Sequence, residues 1–201
     1  MKTLEIRIEF IEDMLGTLPN NQDIYREFIA SKAPDAMTTE EEVAEFGIQE
    51  TAEKGMTIFL RDEDGNPALY DYHFKGFFKD ACSMLRKATG YKSKNLTAHK
   101  KQIDGLVFVN PRVVTVHLPE GKELGVCQRP LRAQTAQGER VALAMSESVP
   151  SGSWCEIEIT CLNDNDIDYV KEWLNYGRLR GIGQWRNSSK GRFSWELIRE
   201  Y

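Results

Sequence analysis

The chain has 201 residues, of which 41% are hydrophobic and 28% are charged, a globular composition that excludes the disordered, collagen-like and coiled-coil classes. Its 26 Lys and Arg stand against 31 Asp and Glu, and the formal charge of −5 argues against an unselective nucleic-acid coat. No run approaches the ~20 apolar residues of a membrane-spanning helix. Because Met1 leads into a strand pattern rather than a secretory leader, we expect a cytoplasmic protein without membrane contact.

The first third of the chain predicts a strand followed by an acidic excursion. Apolar and polar residues alternate over residues 3–12, as in a half-buried strand. After a turn, a short helix is predicted to end near Ser31, because Pro34 prevents its continuation. Residues 38–54 are strongly acidic and predict a small helix outside the main core. Residues 56–60 and 68–72 then predict a hairpin.

The clearest amphipathic helix is predicted over residues 75–89, where apolar residues recur at intervals of three and four and Gly90 follows. Strand patterns at residues 106–109 and 114–118 come next. Residues 119–153 have the character of an insertion with its own hairpin. Alternation over residues 155–161 predicts a strand with Cys155 and Cys161 facing inward, followed by a helix from about residue 163 and a last strand at residues 193–197.

Without the excursion and the insertion, the order is strand, helix, strand, strand, helix, strand. This order predicts an α+β fold of the ferredoxin-like or RRM-like kind, in which two helices cover one face of an antiparallel sheet. Since no Pro/Ser-rich linker divides the chain, we expect a single domain over residues 1–201, with insertions at about 17–70 and 119–153.

The residue pattern predicts no metal and no cofactor. Four cysteines without CxxC spacing predict reduced thiols packed as small apolar groups and, with three histidines, do not indicate zinc. The acidic runs at residues 62–64 and 164–168 lack the glycine and terminal glutamate of a calcium loop. No nucleotide-cofactor fingerprint occurs.

Charge is strongly partitioned along the chain. Residues 1–74 carry a net charge of −11, whereas residues 75–101 carry +7 and residues 177–192 carry +5. In the first basic segment, Lys75, Lys79 and Arg86 lie on one side of the predicted helix. Such a side is either a phosphate-binding surface or a solvated face that keeps a surface helix soluble.

The second basic segment is a glycine-rich loop. Glycines permit a close approach of backbone to phosphate, and Trp185 offers a stacking plane. An ordinary helix-to-strand turn with a core tryptophan is the alternative. The cations that we expect to bind nucleic acid here are Arg180, Arg186, Lys190 and Arg192.

A third basic cluster lies in the insertion, where Arg129 and Arg132 flank Pro130. Proline disfavours an interior strand, so a projecting loop that clasps nucleic acid or a neighbouring subunit is predicted. A structural hairpin with salt bridges is the equally open alternative.

The three basic segments on this core resemble the RAMP superfamily, the RNA-binding proteins of CRISPR effector complexes and crRNA processing. Residues 72–81 (YHFKGFFKDA) resemble the entry to the family's first helix, with Gly76 and Lys79 three residues later. Residues 181–193 resemble its C-terminal glycine-rich loop, although Ser188 and Ser189 depart from the usual pattern. The chain is also similar to small prophage-encoded proteins, which places it in a bacterial or phage-infected cell.

The resemblance implies a non-catalytic module that binds single-stranded RNA or another nucleic acid, with copies of the chain or effector subunits as partners. Some RAMP proteins cleave RNA with a histidine, and His73, next to the Gly76 motif, is the one histidine that merits a test. The alternative is a phage or mobile-element factor that engages host defence proteins through its acidic surface. That surface is the first third of the chain, with its net charge of −11, and reversal of Glu40, Glu41, Glu42 and Glu45 is its test.

Overall fold

The structure, a computed structural model, describes residues 1–20, 55–135 and 138–201, without the side chains of residues 131–142. The predicted helices at residues 24–31 and 38–54, and the residues Glu40 to Glu45 of the acidic surface, lie outside the described residues. Within these ranges, no helix is long and apolar enough to cross a membrane.

The chain divides into two compact units. The first unit comprises residues 1–14, 60–123 and 149–201, and the second comprises residues 15–59 and 124–148. The second unit falls within the two ranges that the sequence marks as insertions, although residues 60–70, 119–123 and 149–153 belong to the first. The single domain stays a prediction.

The first unit carries most of the regular structure. Its helices are α1 (Asp71–Leu85), α2 (His99–Leu106) and α3 (Asp166–Tyr176), with short 3-10 turns at Lys92–Asn95 and Arg186–Ser188. Its strands are β1 (Lys2–Phe10), β5 (Leu60–Arg61), β6 (Pro67–Tyr70), β7 (Val107–Asn110), β8 (Val113–Thr115), β11 (Trp154–Cys161) and β12 (Phe193–Glu200). At the boundary between the units lies β2 (Met14–Leu15), and the second unit contains β3 (Leu18–Pro19), β4 (Thr57–Ile58), β9 (Gly125–Thr135) and most of β10 (Gly138–Val149).

A four-stranded antiparallel sheet organises the first unit, in the order β12-β1-β11-β7. Counted among these four strands alone, the order is fourth, first, third, second, which is the ferredoxin-like arrangement that the sequence predicts. The α+β fold class is therefore confirmed. The predicted hairpin is present in part, as β5 and β6, because β4 in its first arm pairs with β3 and β10 instead. The last strand is present as β12.

The core lies between one face of this sheet and the helices. Leu4, Ile6, Ile8 and Phe10 of β1 are all fully buried. Phe77 of α1 packs edge-on against Phe193 of β12, with ring centroids 5.1 Å apart. The alternation in β1 and the stripe of α1 thus face each other, as their periodicities require.

Two elements differ from the sequence prediction. Helix α1 begins at Asp71, four residues before the predicted start, because the chain enters it directly from β6. Helix α2 was not predicted, and His99 is its first residue rather than part of a basic linker. Its one buried residue, Ile103, is too weak an apolar signal to indicate a helix.

In the second unit, β9 and β10 form a long antiparallel hairpin in which Pro130 lies opposite Leu143. Of the two alternatives left open for residues 128–138, the structure therefore has the hairpin, and not the projecting loop, for residues 128–135. Because β9 pairs with β10 alone among the described strands, Pro130 lies in an edge strand, where a missing N–H is tolerated.

The buried cysteines agree with the prediction of packed thiols. Cys82, Cys155 and Cys161 are free and buried, and Cys127 is half-buried. Burial raises the pKa of the Cys155 and Cys161 thiols to about 12, so both stay protonated.

Candidate nucleic-acid interface

Helix α1 supports the candidate interface because one side of it is fixed in the core. Phe74, Phe77, Phe78, Ala81 and Leu85 are buried at helical spacing, which directs the remaining side of the helix outward. That outward side carries Lys75, Lys79 and Arg86, as the sequence predicts.

Helix α2 contacts all three of these cations. The Lys75 ammonium donates to the Asp104 carbonyl oxygen at 3.0 Å, and Lys79 Nζ lies 2.5 Å from Asp104 Oδ1. Arg86 Nη1 lies 3.0 Å from Nδ1 of His99. The three cations therefore help to seat α2 on α1, and they are not simply a solvated face.

On its other flank α1 holds the glycine-rich loop. The carboxylate oxygen Oδ2 of Asp80 accepts hydrogen bonds from Arg180 Nε and from Arg186 Nη1, the second at 2.8 Å. The two arginine side chains are 28% and 34% exposed. One carboxylate thus brings two cations of the loop against the helix.

We call Lys75, Lys79, Arg86, Arg180 and Arg186, with Asp80 and Asp104, the α1 face. Its five cations and two carboxylates give a net charge of +3. This surplus of cations makes it attractive to phosphate.

The other two loop cations are matched one to one. Lys190 Nζ donates to Asp13 Oδ2 at 3.0 Å, and Arg192 Nη2 donates to Glu12 Oε1 at 2.8 Å. Although burial alone would raise the pKa of Asp13, hydrogen bonds from Lys190 and from the Ser151 backbone N–H outweigh it and lower that pKa. The structure therefore separates Lys190 and Arg192 from the α1 face, in a locally neutral pair of salt bridges.

Two glycines of the loop serve its own closure. A Cβ at Gly181 would lie 2.2 Å from the Gly191 carbonyl carbon, and a Cβ at Gly191 would lie 1.9 Å from the Ile182 carbonyl oxygen. Gly191 also has a positive φ of 70° and accepts a hydrogen bond from the Ile182 N–H at 3.0 Å. The two ends of the loop thus cross at a distance that only glycine permits, which is a different role from the predicted approach to phosphate.

Gly76 of α1 has open space around it. It is exposed in the interior of α1, and a Cβ there would meet nothing within 4 Å. Its neighbours one turn later are Lys79 and Asp80, so it lies between the cations that contact α2 and those of the loop. Glycine costs a helix interior about 1 kcal/mol relative to alanine, and no internal contact explains it here.

The opposite face of the four-stranded sheet has the opposite charge. Register places Glu5 opposite Glu158, and places Arg7 between Glu156 and Glu196. Adding Glu9 and Arg199 gives five glutamates and two arginines, a net charge of −3. RRM domains bind RNA on the open face of their sheet, but this face repels phosphate.

The other predicted site residues are Trp185, Arg129 and Arg132. Trp185 is 41% exposed, in a left-handed backbone conformation that starts the second 3-10 turn. Arg129 is 9% exposed in β9 of the second unit, while the side chain of Arg132 lies outside the described residues. Their role in nucleic-acid binding stays a prediction.

Histidine geometry bears on catalysis. Because the Arg86 guanidinium only donates, Nδ1 of His99 accepts, and the proton of the neutral ring lies on Nε2, 2.9 Å from Ser83 Oγ. In this tautomer His99 does not accept the Ser83 proton. His73 Nδ1 accepts the Tyr70 backbone N–H at 3.1 Å, and burial lowers the pKa of His73 despite the Asp71 carboxylate.

Sequence reasoning missed the carboxylates that arrange the site. Asp80 is the single acidic residue of the basic segment 75–101, and Asp104 belongs to α2, which the sequence pattern does not predict. The isolated Asp80 within a +7 segment is the signal that could have indicated an anchor for arginines. In the described ranges, no group of His, Cys, Asp or Glu side chains is arranged to hold a metal.

The chain matches no family model and no curated protein, but its fold matches solved structures. One is a chain of the cryo-EM structure of the Type III-B Cmr-beta bound to cognate target RNA, with a TM-score of 0.50 and 10% identity. The match covers 100% of this chain and 60% of that one, so this chain spans less than two thirds of its length. At this identity the likeness concerns the fold alone.

Proposed function

We propose that the chain is a non-catalytic module that binds single-stranded nucleic acid, RNA above all, with the sugar-phosphate backbone on the α1 face. The observation that carries the proposal is Gly76, an exposed helix glycine with open space above it and cations on both flanks. A strand lying over Gly76 approaches the helix closely and has Lys79 on one side and Arg186 on the other.

Pairing with carboxylates does not prevent these cations from binding phosphate. A guanidinium has five N–H donors, and Asp80 engages one nitrogen of Arg180 and one of Arg186. Each arginine keeps donors for a phosphate oxygen, and the carboxylate holds both in place beforehand. Such preorganisation lowers the entropy cost of binding.

The choice of RNA rests on resemblance. The solved structure described above includes target RNA, and the sequence motifs resemble RNA-binding RAMP proteins. Prophage origin, multimerisation along nucleic acid and effector-complex partners stay predictions. The alternative function is engagement of host proteins through the acidic first third of the chain, and its test residues Glu40, Glu41, Glu42 and Glu45 lie outside the described ranges.

The proposal includes no RNA cleavage. The tautomer of His99 opposes a role as general base, and Nδ1 of His73 already accepts the Tyr70 backbone N–H at 3.1 Å. A His73→Ala variant is expected to bind RNA as the wild type does, and incubation of both with labelled RNA is expected to leave the RNA intact.

The direct test is a triple variant, Lys79→Gln, Arg180→Gln and Arg186→Gln, titrated with labelled single-stranded RNA at rising salt. Since each single-strand phosphate contact contributes about 0.7 to the salt slope, the slope is expected to fall by about 2, and affinity at ~50 mM salt by on the order of 100-fold.

The matched control removes three cations from elsewhere on the same unit: Lys2→Gln, Arg7→Gln and Arg199→Gln. It has the same net charge as the test variant and is expected to keep the wild-type salt slope. Equal losses of RNA affinity in the two triple variants would show that only the net charge matters. That result would contradict binding at the α1 face. Absence of wild-type binding at ~50 mM salt would contradict the function itself.

A further inference from the structure

A cavity of about 450 Å³ opens between the C-terminal ends of α1 and α3. Its walls include Leu85, Tyr91, Asn175, Tyr176 and Leu179. The volume lies within the range of small-molecule sites, about 300–1,000 Å³. Leu179 is 70% exposed and Tyr91 is 40% exposed, so two large apolar side chains are presented at its mouth.

The wall that carries Tyr91 is firmly held. Glu172 of α3 accepts hydrogen bonds from the backbone N–H groups of Lys92 and Ser93, at 2.7 and 2.9 Å, and from the Ser93 hydroxyl. The Trp173 indole N–H donates to Ser93 Oγ at 3.0 Å. Tyr91 therefore enters a turn that is fixed on α3 before any ligand arrives.

The polar groups around the cavity favour an uncharged ligand. Lys92 is paired with Asp168 at 2.6 Å and Lys171 with Glu200 at 2.8 Å, so neither lysine is in surplus. Asn175 Oδ1 accepts the Trp195 indole N–H at 3.0 Å, which leaves its NH₂ group as the donor. Rings, a leucine and an amide donor suit the flat, polar-edged shape of a nucleobase.

The cavity adjoins the α1 face along the chain. Leu85 directly precedes Arg86, and Leu179 directly precedes Arg180. A strand whose phosphates contact these arginines has its bases within reach of the cavity. We propose that the cavity takes one unstacked base of the bound strand, an inference that rests on the proposed function.

The test compares a single-stranded RNA with an oligonucleotide of the same length that has abasic sites. Tyr91→Ala and Leu179→Ala are each expected to weaken binding of the intact RNA about 5- to 100-fold and to leave abasic binding unchanged, because stacking on one base is worth about 1–3 kcal/mol. Tyr91→Phe keeps the ring and is expected to bind as the wild type does.

Controls of matched chemistry and exposure exist on β12 and the residue after it. Ile198→Ala and Tyr201→Ala remove side chains that are 47% and 56% exposed and lie outside the cavity, and they are expected to bind both oligonucleotides as the wild type does. Thermal unfolding of each variant shows that the fold is kept.

The outcomes separate the cavity from the α1 face. Wild-type binding of intact RNA by both alanine variants would overturn the base site while leaving the proposed function standing; a protein segment would then be the better occupant. Equal weakening of intact and abasic strands would overturn it too, because the loss would not concern a base. If neither strand binds the wild type, both proposals fail together.

Discussion

The two sides of the four-stranded sheet differ in how they treat charge. On the helix side, the α1 face collects five cations around two carboxylates, whereas on the opposite side five glutamates surround two arginines. The net charges of +3 and −3 belong to the same compact unit. A formal charge of −5 for the whole chain therefore says little about where a polyanion is attracted, because the field near a surface depends on local charges.

The difference also shows which cations are structural. Lys190 and Arg192 each have a carboxylate partner of their own, but Arg180 and Arg186 share Asp80. Shared carboxylates leave a surplus of positive charge, and one-to-one pairs do not. Within the glycine-rich loop, charge stoichiometry thus indicates Arg180 and Arg186 as the candidate phosphate contacts.

The largest expected effect comes from a methyl group that prevents the two ends of the glycine-rich loop from crossing. In Gly191→Ala the new Cβ meets the Ile182 carbonyl oxygen and the residue keeps a positive φ, which costs about 3 kcal/mol or more of unfolding free energy. Urea denaturation measures that loss, and RNA affinity is expected to fall with it.

Gly65→Ala is the control for this variant. Gly65 also has a positive φ, of 84°, but a Cβ there meets nothing within 4 Å. It is expected to lose only the backbone term of about 1 kcal/mol. Equal losses in the two variants would show that the loop crossing contributes nothing.

Asp80→Asn is expected to have the next largest effect. The variant weakens the acceptor of two partly buried arginines, and hydrogen bonds to charged groups are worth about 1.5–3 kcal/mol. We expect unfolding free energy to fall by about 1–2 kcal/mol and the glycine-rich loop to exchange its amide hydrogens faster. Unchanged exchange at residues 180–188 would mean that Asp80 does not hold the loop.

Gly76→Ala sharpens the comparison by separating stability from binding. Alanine favours the helix, so unfolding free energy is expected to rise by about 0.5–1 kcal/mol, while the methyl group keeps a strand away from α1 and lowers RNA affinity several-fold. If Gly76 were needed for the structure itself, the unfolding free energy of Gly76→Ala would fall instead. A variant that is more stable and binds RNA unchanged would remove Gly76 from the interface.

The periodic elements of the first unit were predictable from sequence because their burial is one-sided. The alternation of β1 and β11 and the stripe of α1 each report a single buried face, whereas in β12 only Phe193 is buried. Helix α2 was not predictable in this way, since Ile103 alone is buried and the helix is held by side-chain contacts from α1. Pro130 favoured a loop in the sequence analysis although it lies in a strand. An edge position in β9, where proline is tolerated, cannot be recognised before the strand order is known.

The candidate site was predictable as a list of cations but not as an arrangement. Helical geometry brought Lys75, Lys79 and Arg86 together without knowledge of the fold. The division of the loop cations between Asp80 on one side and Asp13 and Glu12 on the other depends on contacts between residues about 100 to 180 positions apart. No local pattern encodes such pairings.

A smaller effect is expected from the opposite face of the sheet. Glu156→Gln with Glu196→Gln removes two exposed negative charges flanking Arg7, and RNA affinity at moderate salt is expected to change by less than about threefold, because screening attenuates charges beyond the ~10 Å Debye length. A salt slope that rises by one or more would place phosphate on this face and remove the contrast between the two sides.

The smallest expected effect is the pH dependence of unfolding free energy that His99 causes where α2 contacts α1. Burial, Arg86 and Lys100 all lower the pKa of His99 from its ordinary 6.5. Between pH 6.5 and the lowered value the unfolded state binds more protons, so the stability that His99 contributes is fully present above pH 6.5 and is lost as pH falls through the lowered pKa. Unfolding free energy measured at pH 7.5 and 5.5 is expected to be lower at pH 5.5.

His99→Gln removes this titration but not that of His73, whose pKa is lowered in the same direction by burial. The pH dependence is therefore expected to shrink in His99→Gln and to shrink further in a double variant with His73→Gln. The pKa of Asp13 is lowered, so its contribution to unfolding free energy is lost only below pH 4. It therefore does not affect the comparison between pH 7.5 and 5.5. If His99→Gln kept the full pH dependence, the hydrogen bond between Arg86 and Nδ1 would not hold the neutral ring, and His99 would again be a candidate general base.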